Sequence, residues 1–461
     1  MLHILEPCFD TAIADSADLI HIRHQERKVT TCIVRNGDVD LFSTAYLNGV
    51  GIRVLADHAS WGFSSTNIIE EGSVMKALKN AFALASTTSP RTPHDICLEP
   101  LPPVIDTQSS PVGQPPSALA EQDIAGIPLE ACEGAKEAGP SVKEITATYI
   151  SIEDKKCFLS SEGSQIEQNI TRVMLYVDVL AKRNDIICPA SENLGHTGGL
   201  ELFDAVTPFQ LGKTVGEKAV RLLDACSPPS GMFKVIIHPT LCATLLHEAI
   251  GHPLEADLAM AGGGFGAHMG KQVSSPLITI YDHGLITHGL GYFPYDDEGV
   301  ACNKTTLIEG GVLTSFMHDR TSAAQAGVSP TGNAHAWDYS VEPLIRQTNI
   351  GIEPGDFTEE EMMEDIDEGL YLKGTFGGQA DSNADFTFGF QHAFWIRNGV
   401  PGEEVRGANV AGNAIEVFKT VDAVGREAVL RPGACGKFQF AIQGREVPAI
   451  RCTIMVGGTG R

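Results

Sequence analysis

Two histidines and a glutamate lie within six residues of one another, in the segment His247-Glu248-Ala249-Ile250-Gly251-His252. Neutral imidazoles are good zinc ligands, and a carboxylate beside them can accept a proton from a water molecule. The familiar zinc-hydrolase pattern has its two histidines four residues apart on one face of a helix. His247 and His252 are five residues apart, and on an ideal helix their side chains would point about 140° away from each other. An undistorted helix would therefore not bring both rings to one ion.

The residues at the end of the motif favour a distortion of the helix. Gly251 tolerates unusual dihedral angles, and Pro253 disfavours helical conformation at His252. A helix end or a π-type bulge at Ile250 and Gly251 would bring the two rings together. The pattern alone leaves open a metal site or histidines that are hydrogen-bonded core residues. The cost of burying an unpaired carboxylate such as Glu248 is the argument for the metal site.

Composition and turn signals predict the elements that position this segment. The mostly apolar run from residue 241 to 251 is typical of a buried helix, and residues 233–237 before it are typical of a short strand. Asn36-Gly37 is a hairpin turn signal next to a β-rich run. Further strands are predicted at residues 28–34, 50–55, 143–150, 156–159 and 173–180, and helices at residues 10–18, 74–85 and 215–223.

The chain has 461 residues, which is more than a single hydrophobic core usually supports. Beyond residue 275, short strands alternate with glycine turns. We therefore predict an α+β protein in which a mixed α/β N-terminal domain, residues 1–230, precedes a β-rich C-terminal domain, residues 231–461. The second domain carries the metal-binding helix. The Pro-rich segment at about 87–118 is predicted to be an exposed connection within the first domain.

Charge and composition exclude several kinds of partner. The formal net charge of −25 argues against binding to nucleic acid or to anionic membranes. No apolar run approaches the roughly 20 residues of a membrane helix, and the N-terminus has neither the basic start nor the apolar stretch of a secretory signal. The eleven cysteines include no CxxC pair and do not form the pattern of a disulfide framework. These features predict a reduced, cytoplasmic protein.

A series of short blocks resembles the TldD/PmbA family of metallopeptidases, and the blocks occur in the order expected for that family. The segment from His247 to Pro253 resembles the family's H-E-x-x-x-H motif. The resemblance covers nearly the whole chain, and ordered blocks are more specific than one short motif. The other blocks are Arg35-Asn36-Gly37, Trp61-Gly62-Phe63-Ser64-Ser65-Thr66-Asn67, Gly262-Gly263-Gly264-Phe265, Met269-Gly270-Lys271-Gln272-Val273-Ser274-Ser275, Asp297-Glu298-Gly299-Val300, Pro330-Thr331-Gly332-Asn333, Arg346-Gln347-Thr348-Asn349, Gly377-Gly378-Gln379, Val405-Arg406-Gly407-Ala408, Cys435-Gly436-Lys437 and Val456-Gly457-Gly458-Thr459.

The resemblance implies one zinc ion per active chain, held by His247, His252 and Cys435, with Glu248 as the general base. A thiolate is a strong zinc ligand, and two histidines with one cysteine leave one position open for water. The resemblance also implies hydrolysis of amide bonds in unstructured peptides, which would bind in extended conformation by pairing with an exposed strand. It further implies a dimer, either a homodimer or a heterodimer with a related inactive subunit.

One departure from the family pattern follows Cys435-Gly436-Lys437. The family usually continues with a small polar residue, glycine and glutamine, whereas this chain has Phe438-Gln439-Phe440. The departure bears on substrate preference more than on metal binding. Two other functions stay open: a metal-dependent amide or C–N hydrolase acting on a small-molecule or modified-peptide biosynthetic intermediate, and a non-catalytic partner subunit. The residues do not distinguish zinc from another divalent ion.

Other polar residues near the motif have weaker signals. His268 and Glu255 are candidates for extra ligands or for groups that orient a ligand, as is Asp257. For the two acids, a solvated acidic helix face is the expected role. Arg346 and Arg406 lie in family-like blocks, where they would orient a peptide or form structural ion pairs. We do not assign either arginine to catalysis.

Overall fold

The computed structural model describes residues 2–89, 96–381 and 383–457. No helix within these ranges is both long enough and apolar enough to cross a lipid bilayer. Residues 90–95 of the Pro-rich segment, and Gly458 and Thr459 of one family-like block, lie outside the described residues. The helices are α1 (Leu2–Leu5), α2 (Glu71–Thr88), α3 (Glu121–Lys136), α4 (Pro208–Leu222), α5 (Pro239–Leu246), α6 (Ala256–Met260), α7 (Arg320–Ala326), α8 (Glu359–Glu364) and α9 (Ala414–Lys419). The strands are β1 (Leu19–Arg35), β2 (Asp38–Ala56), β3 (Ser60–Thr66), β4 (Ile105–Ser109), β5 (Val142–Ser160), β6 (Gln165–Arg183), β7 (Ile186–Thr197), β8 (Gly231–Ile237), β9 (Ile280–His283), β10 (Lys304–Glu309), β11 (Val312–Leu313), β12 (Ala334–His335), β13 (Leu344–Ile345), β14 (Asn349–Ile352), β15 (Glu368–Lys373), β16 (Gly378–Ala380), β17 (Asp385–Arg397), β18 (Val400–Asn413), β19 (Ala423–Val424), β20 (Val429–Lys437), β21 (Gln439–Val447) and β22 (Ile450–Val456).

The first sheet contains long antiparallel strands in the order β3-β2-β1-β5-β6-β4, and β7 also pairs with β6. The turn between β1 and β2 is Asn36-Gly37, and both residues have positive φ, 53° and 95°. A type I′ hairpin turn requires this conformation, which Asn and Gly adopt readily. The predicted hairpin is thereby confirmed. Helices α3 and α4 pack against this sheet over a core that includes Tyr149 and Val173.

The second sheet has the order β15-β8-β22-β18-β17-β16 and closes on itself because β15 also pairs with β17. Helix α5 begins directly after β8, so its position is set by the central part of this sheet. Leu241, Leu245 and Leu246 of this helix are buried in a hydrophobic core shared with Phe388 and Ile350. The apolar run before the histidine motif is therefore a buried helix, as predicted.

A third sheet, in the order β11-β10-β9-β14-β21-β20, brings the C-terminal part of the chain to the motif. Strand β21 pairs in parallel with β14, and the hairpin formed by β20 and β21 leaves β20 at the edge. The hairpin turns at Phe438, which has a φ of 59° and a side chain that is 93% exposed. The Phe438-Gln439-Phe440 departure therefore lies at the hairpin tip, beyond the position of Cys435 in β20.

Ion pairs join the first sheet to the second half of the chain. Arg320, at the start of α7, pairs with Glu162 over 2.7 Å. Lys156 of β5 pairs with Asp297 over 3.1 Å, and the two side chains are 13% and 8% exposed. Buried charges are tolerated when they are paired in this way. These contacts hold the segment around Asp297, and helix α7, against the first sheet.

The predicted α+β fold class is confirmed, with a β-rich second half that includes the motif helix. The predicted helix at residues 10–18 is wrong, since these residues form turns and the helical start is confined to residues 2–9. Helix α3 was not predicted, and it contains Pro128 in its interior, where proline normally disfavours a helix. In the described part of the Pro-rich segment, β4 adds a short parallel strand beside β6 and has no buried residue.

Candidate metal centre

The two histidines of the motif are separated by a single π-helical turn. Helix α5 ends at Leu246, and residues His247–Gly251 are π-helical. The backbone N–H of His252 donates a hydrogen bond to the carbonyl oxygen of His247, the i to i+5 pattern that defines this turn. The two imidazole ring centroids lie 4.5 Å apart as a result. The predicted bulge is therefore present. It places both imidazole rings on the same side of the helix, whereas a regular helix would separate them.

Cys435 reaches the same point from strand β20. Its Sγ lies 3.2 Å from Nε2 of His252, although the two residues are 183 positions apart. One ligand atom each from His247, His252 and Cys435 lies within 4.8 Å of the other two. Ligand atoms around a tetrahedral zinc ion are roughly 3.3–3.6 Å apart. The three donors therefore fit a metal ion after small side-chain adjustments.

Each imidazole is oriented through its Nδ1 atom. Nδ1 of His247 is 2.7 Å from Oε1 of Gln347, and the amide of Gln347 in turn donates to the carbonyl oxygen of His247. Nδ1 of His252 is 3.0 Å from Oε1 of Glu255. Histidines that bind metals commonly donate their second N–H to a carboxylate or carbonyl group. Both Nε2 atoms therefore face the candidate ligand group, where that of His247 contacts Gln443 and that of His252 contacts Cys435.

The ionisation of the two histidines differs because their neighbours differ. Complete burial, together with the positive charge of Arg445, holds the pKa of His247 well below its usual value. Burial also opposes the charged form of His252, but hydrogen bonds to Cys435 and Glu255 raise its pKa to about 10. A proton on Nε2 of His252 thus bridges to the sulfur of Cys435. A metal ion bound by these two atoms would displace this proton, because metal ligands must be deprotonated.

Glu248 lies beside both Nε2 atoms. One carboxylate oxygen is 3.7 Å from Nε2 of His247, and the other is 3.8 Å from Nε2 of His252. The Glu248 side chain is 26% exposed, unlike the fully inaccessible His247 side chain. A carboxylate in this position reaches both the metal centre and a water molecule entering from solvent, which a general base requires.

Glu255 has a different environment from the solvated face that we expected. Its side chain is fully buried, and the carboxylate lies between the imidazole of His252 and Nζ of Lys437. Burial would raise the pKa of Glu255, but His252 and Lys437 lower it below the usual value. Asp257 also accepts hydrogen bonds from Nζ of Lys437, at 2.8 and 3.0 Å, and is partly exposed. The expectation of a solvated acidic face is therefore wrong for Glu255.

Arg346 contacts the thiol directly. Its Nη2 lies 2.7 Å from Sγ of Cys435, and its Nη1 donates to the carbonyl oxygens of Lys437 and Gln439. A guanidinium in this position is electrostatically favourable to a thiolate. Arg346 thus supports the candidate ligand rather than forming only a structural ion pair. Arg406 and His268 are not part of the metal-ligand group, and Arg406 donates to Ser227 instead.

Two glutamines of the site received no role from the sequence. Gln347 lies in a family-like block, yet nothing in that block indicated contact with His247. Gln443 of β21 is completely buried, and its Nε2 lies 2.8 Å from Nε2 of His247. The available signal was alternation: residues 441, 443 and 445 share one face of β21, and two of the three are polar. Alternation indicates a common face, but it does not say what that face contacts.

Profiles of one protein family match most of the chain. The first domain of the PmbA/TldA metallopeptidases matches residues 22–85, the central domain matches residues 114–223, and the C-terminal domain matches residues 230–458. The third match contains His247, His252 and Cys435. The chain therefore belongs to the PmbA/TldA metallopeptidase family, and it is a metal-dependent peptidase.

Similar proteins extend over the same length. A metalloprotease of Methanothermobacter thermautotrophicus is 35% identical over 97% of each chain. A zinc metalloprotease TldD homolog of Saccharolobus solfataricus is 28% identical over 93% of each chain. The resemblance to TldD-type proteins is confirmed by these relatives.

Solved structures of other proteins share the fold. A protein of Thermotoga maritima superposes with a TM-score of 0.82 and 21% identity over 99% of both chains. TldE from Thermococcus kodakarensis superposes with a TM-score of 0.78 and 18% identity, over 99% of this chain and 100% of its own. At this level of identity, the two structures support the fold alone.

Proposed function

We propose that the chain is a zinc-dependent peptidase in which His247, His252 and Cys435 hold the ion and Glu248 is the general base. The convergence of three ligand atoms within 4.8 Å, from segments far apart in sequence, is the observation that supports this assignment. A His2Cys donor set suits zinc because it combines nitrogen and thiolate ligands and leaves a fourth position open. One ion per active chain follows from the single group of three donors found among the described residues.

The residues around the ion divide the chemistry between them. A zinc ion bound there would act as a Lewis acid toward the peptide carbonyl and toward water. Glu248 takes the proton of the attacking water and later delivers a proton to the leaving amine. The buried amide of Gln443 lies 2.8 Å from Nε2 of His247, so it would have to release this nitrogen when an ion binds there. Glu255 and Gln347 keep the two imidazoles oriented.

We propose that the substrate is an unstructured peptide that binds in extended conformation. Strand β20, which carries Cys435, is the outermost strand of its sheet, so among the described residues one of its backbone edges has no partner strand in that sheet. An extended peptide that adds to such an edge gains backbone hydrogen bonds without requiring a particular sequence. A peptide paired with β20 would pass directly beside the candidate ligands.

We also propose that the chain acts as a dimer, either with a second copy or with a related subunit. The similarity of its fold to TldE of Thermococcus kodakarensis supports a related subunit as one partner. A reduced, cytoplasmic environment, which we propose from the scattered cysteines, is compatible with a thiolate ligand.

Metal analysis combined with digestion of an unfolded peptide library tests the proposed function. Protein purified without added metal or chelator should contain about one zinc per active chain, and it should cleave unfolded peptides. Removal of zinc by a chelator should abolish cleavage, and added zinc should restore it. Cleavage that is unaffected by complete removal of metal would contradict the proposal. A fully loaded protein that cleaves no peptide would instead support a non-peptide substrate or a non-catalytic subunit.

A further inference from the structure

A small basic cavity lies between the first sheet and the segment that supports the metal centre. Its volume is about 30 Å³, and water needs roughly 10–15 Å³ of such space per molecule. It can therefore hold a group with two oxygen-sized atoms, such as a carboxylate. Three of its cationic residues come from the first sheet, and the fourth comes from the second half of the chain. The charged or polar lining residues are Arg27, Lys156, Arg172, His335, Arg346 and Gln347.

The cavity has an excess of positive charge. None of its lining residues, all of which are among the described ones, is a carboxylate. Each of two neighbouring acids is shared between two cations. Asp154 accepts two hydrogen bonds from Arg27, and its Oδ2 lies 3.9 Å from Nη1 of Arg172. Asp297 pairs with Lys156 and also lies 3.8 Å from Arg23. Arg346 pairs with no carboxylate among the described residues and donates to carbonyl oxygens and to Cys435. Buried cations in excess favour the binding of an anion.

Several buried polar atoms of the cavity residues lack a hydrogen-bond partner in the part of the chain that the structure describes. Among the described residues, the donors Nη1 of Arg27 and Nε of Arg346 have no hydrogen-bond partner. The same holds for both ring nitrogens of His335, one of which carries a proton in the neutral ring. These three residues are between 1% and 6% exposed. A buried polar atom usually has a hydrogen-bond partner, and leaving one unsatisfied costs roughly 1–3 kcal/mol. Unsatisfied donors in a basic cavity are the arrangement expected of a site for an anionic group.

Two consecutive residues connect this cavity to the metal centre. Arg346 lines the cavity and donates to Sγ of Cys435, and Gln347 lines the cavity and holds Nδ1 of His247. Phe440, at the departure from the family pattern, also lines the cavity. Its ring packs edge-on against that of Trp337, with the ring centroids 4.7 Å apart. An anionic group in the cavity would therefore be separated from the candidate metal ligands by Arg346 and Gln347 alone.

We propose that the cavity is a subsite for a carboxylate of the peptide substrate. The carboxylate is either the free C-terminal group or the side chain of an acidic residue close to the cleaved bond. The inference rests on the proposed peptidase function and adds to it a preference for substrates with a carboxylate near the cleaved bond. Arginine donors suit a planar carboxylate, and charge-assisted hydrogen bonds contribute more than neutral ones. The small volume of the cavity favours this group over a bulkier phosphate.

Matched peptide pairs test the subsite and distinguish the two sources of the carboxylate. One pair differs only in a free or amidated C-terminus, and neither peptide contains acidic side chains. A second set, amidated throughout, has glutamate or glutamine scanned across each position. In at least one pair, the zinc-loaded enzyme should cleave the peptide that carries the carboxylate with a kcat/KM about tenfold or more above that of its neutral partner. Equal rates for every pair, with cleavage present, would overturn the subsite and leave the proposed function standing.

The variant His335→Phe provides a second test. The His335 ring packs against Phe293 with centroids 4.3 Å apart, so phenylalanine keeps this contact while removing both ring nitrogens. The preference for the acidic peptide should fall several-fold in this variant. The matched control is His196→Phe. The ring of His196 stacks on His288 and does not line the cavity. The control should keep the wild-type ratio, and an unchanged ratio in His335→Phe would contradict a role for His335 in the subsite.

Equilibrium binding separates failure of the subsite from failure of the proposed function. Calorimetric titration of Glu248→Gln with the same peptides measures affinity without turnover. Tighter binding of the acidic member of a pair by about tenfold would support the subsite even if no peptide were cleaved. Equal affinities for the acidic and neutral members of every pair would overturn it. The wild-type measurements keep the inference testable if His335→Phe does not fold.

Discussion

A Cβ atom placed on Gly251 would lie 2.2 Å from Oε1 of Gln347, the atom that contacts Nδ1 of His247. The absence of a side chain at position 251 therefore lets the amide of Gln347 approach the π-turn and orient the candidate ligand. Gly251 itself has a φ of −60°, an ordinary helical value. Glycine is required at position 251 because Gln347 packs closely against it, and not because the backbone is strained there.

We predict that Gly251→Ala weakens metal binding by about 10- to 100-fold, because Gln347 must move away from His247. Zinc affinity measured by competition with a chelating dye checks this. The matched control is Gly126→Ala in α3, where an added Cβ meets nothing within 4 Å. The control should bind zinc with wild-type affinity and gain about 0.5–1 kcal/mol of stability from the higher helix propensity of alanine. Wild-type affinity in Gly251→Ala would contradict the role of Gln347.

We predict that Glu248→Gln lowers the turnover number by about 10²- to 10⁴-fold and leaves the zinc content unchanged. The amide keeps the shape of the side chain but cannot accept the proton of water. Peptide cleavage and metal content should be measured on the same preparation. The exposed residue Glu217 in α4 supplies the control Glu217→Gln, which should retain full activity. Near-normal turnover in Glu248→Gln would exclude Glu248 as the general base.

We predict that Glu255→Gln weakens zinc binding by about 10- to 100-fold, because His252 loses the carboxylate that orients it. The buried amine of Lys437 would also lose its closest acidic partner. Asp257→Asn is the matched comparison, since Asp257 contacts the same amine but is partly exposed and does not hold a histidine. Its effect on zinc affinity should be much smaller. Equal effects in the two variants would indicate that the charge of Lys437, and not the orientation of His252, determines the affinity.

A further prediction concerns the acid side of the stability curve. Burial alone would raise the pKa of Asp297, but Lys156 and Arg23 lower it to about 2, against an ordinary value of 3.8. A carboxyl group whose pKa is lowered on folding contributes stability above the unfolded pKa, and this contribution is lost as the pH falls toward 2. Between pH 5 and pH 3, the loss should be about 1 kcal/mol.

Urea unfolding of the wild type and of Asp297→Asn at these two pH values isolates this contribution. Other buried acids, such as Asp282 with a pKa raised to about 6, titrate in both proteins and cancel in the comparison. The free-energy gap between the wild type and the variant should therefore shrink from pH 5 to pH 3. A gap that stays constant or widens would show that Asp297 does not have a lowered pKa in the folded protein.

The sequence was sufficient to predict local features of the fold and the distortion at the motif. The Asn36-Gly37 turn and the apolar run before His247 depend on neighbouring residues, and both predictions are confirmed. The five-residue spacing of the histidines required a bulge next to Gly251, and the structure has a π-turn there. The division of the chain at residue 230 stays a prediction.

Features that depend on distant contacts were not predictable from the residues alone. The approach of Cys435 to His252 depends on the parallel pairing of β21 with β14, which no local pattern indicates. Glu255 was expected at a solvated surface. The contact that pairs its carboxylate comes from Lys437, which lies 182 residues away and which no local pattern links to Glu255. Gln443 could be assigned to a strand face, but its contact with His247 required the packing of that face against the π-turn.

X-ray absorption at the zinc edge tests the proposed ligand set most directly. In the wild-type protein, we predict two nitrogen neighbours at about 2.0–2.1 Å and one sulfur neighbour at about 2.3 Å. Cys435→Ala should lose the sulfur signal and most of the bound zinc. A wild-type spectrum without sulfur, or a variant with undiminished zinc and an unchanged spectrum, would contradict the assignment of Cys435 with His247 and His252 as the metal ligands.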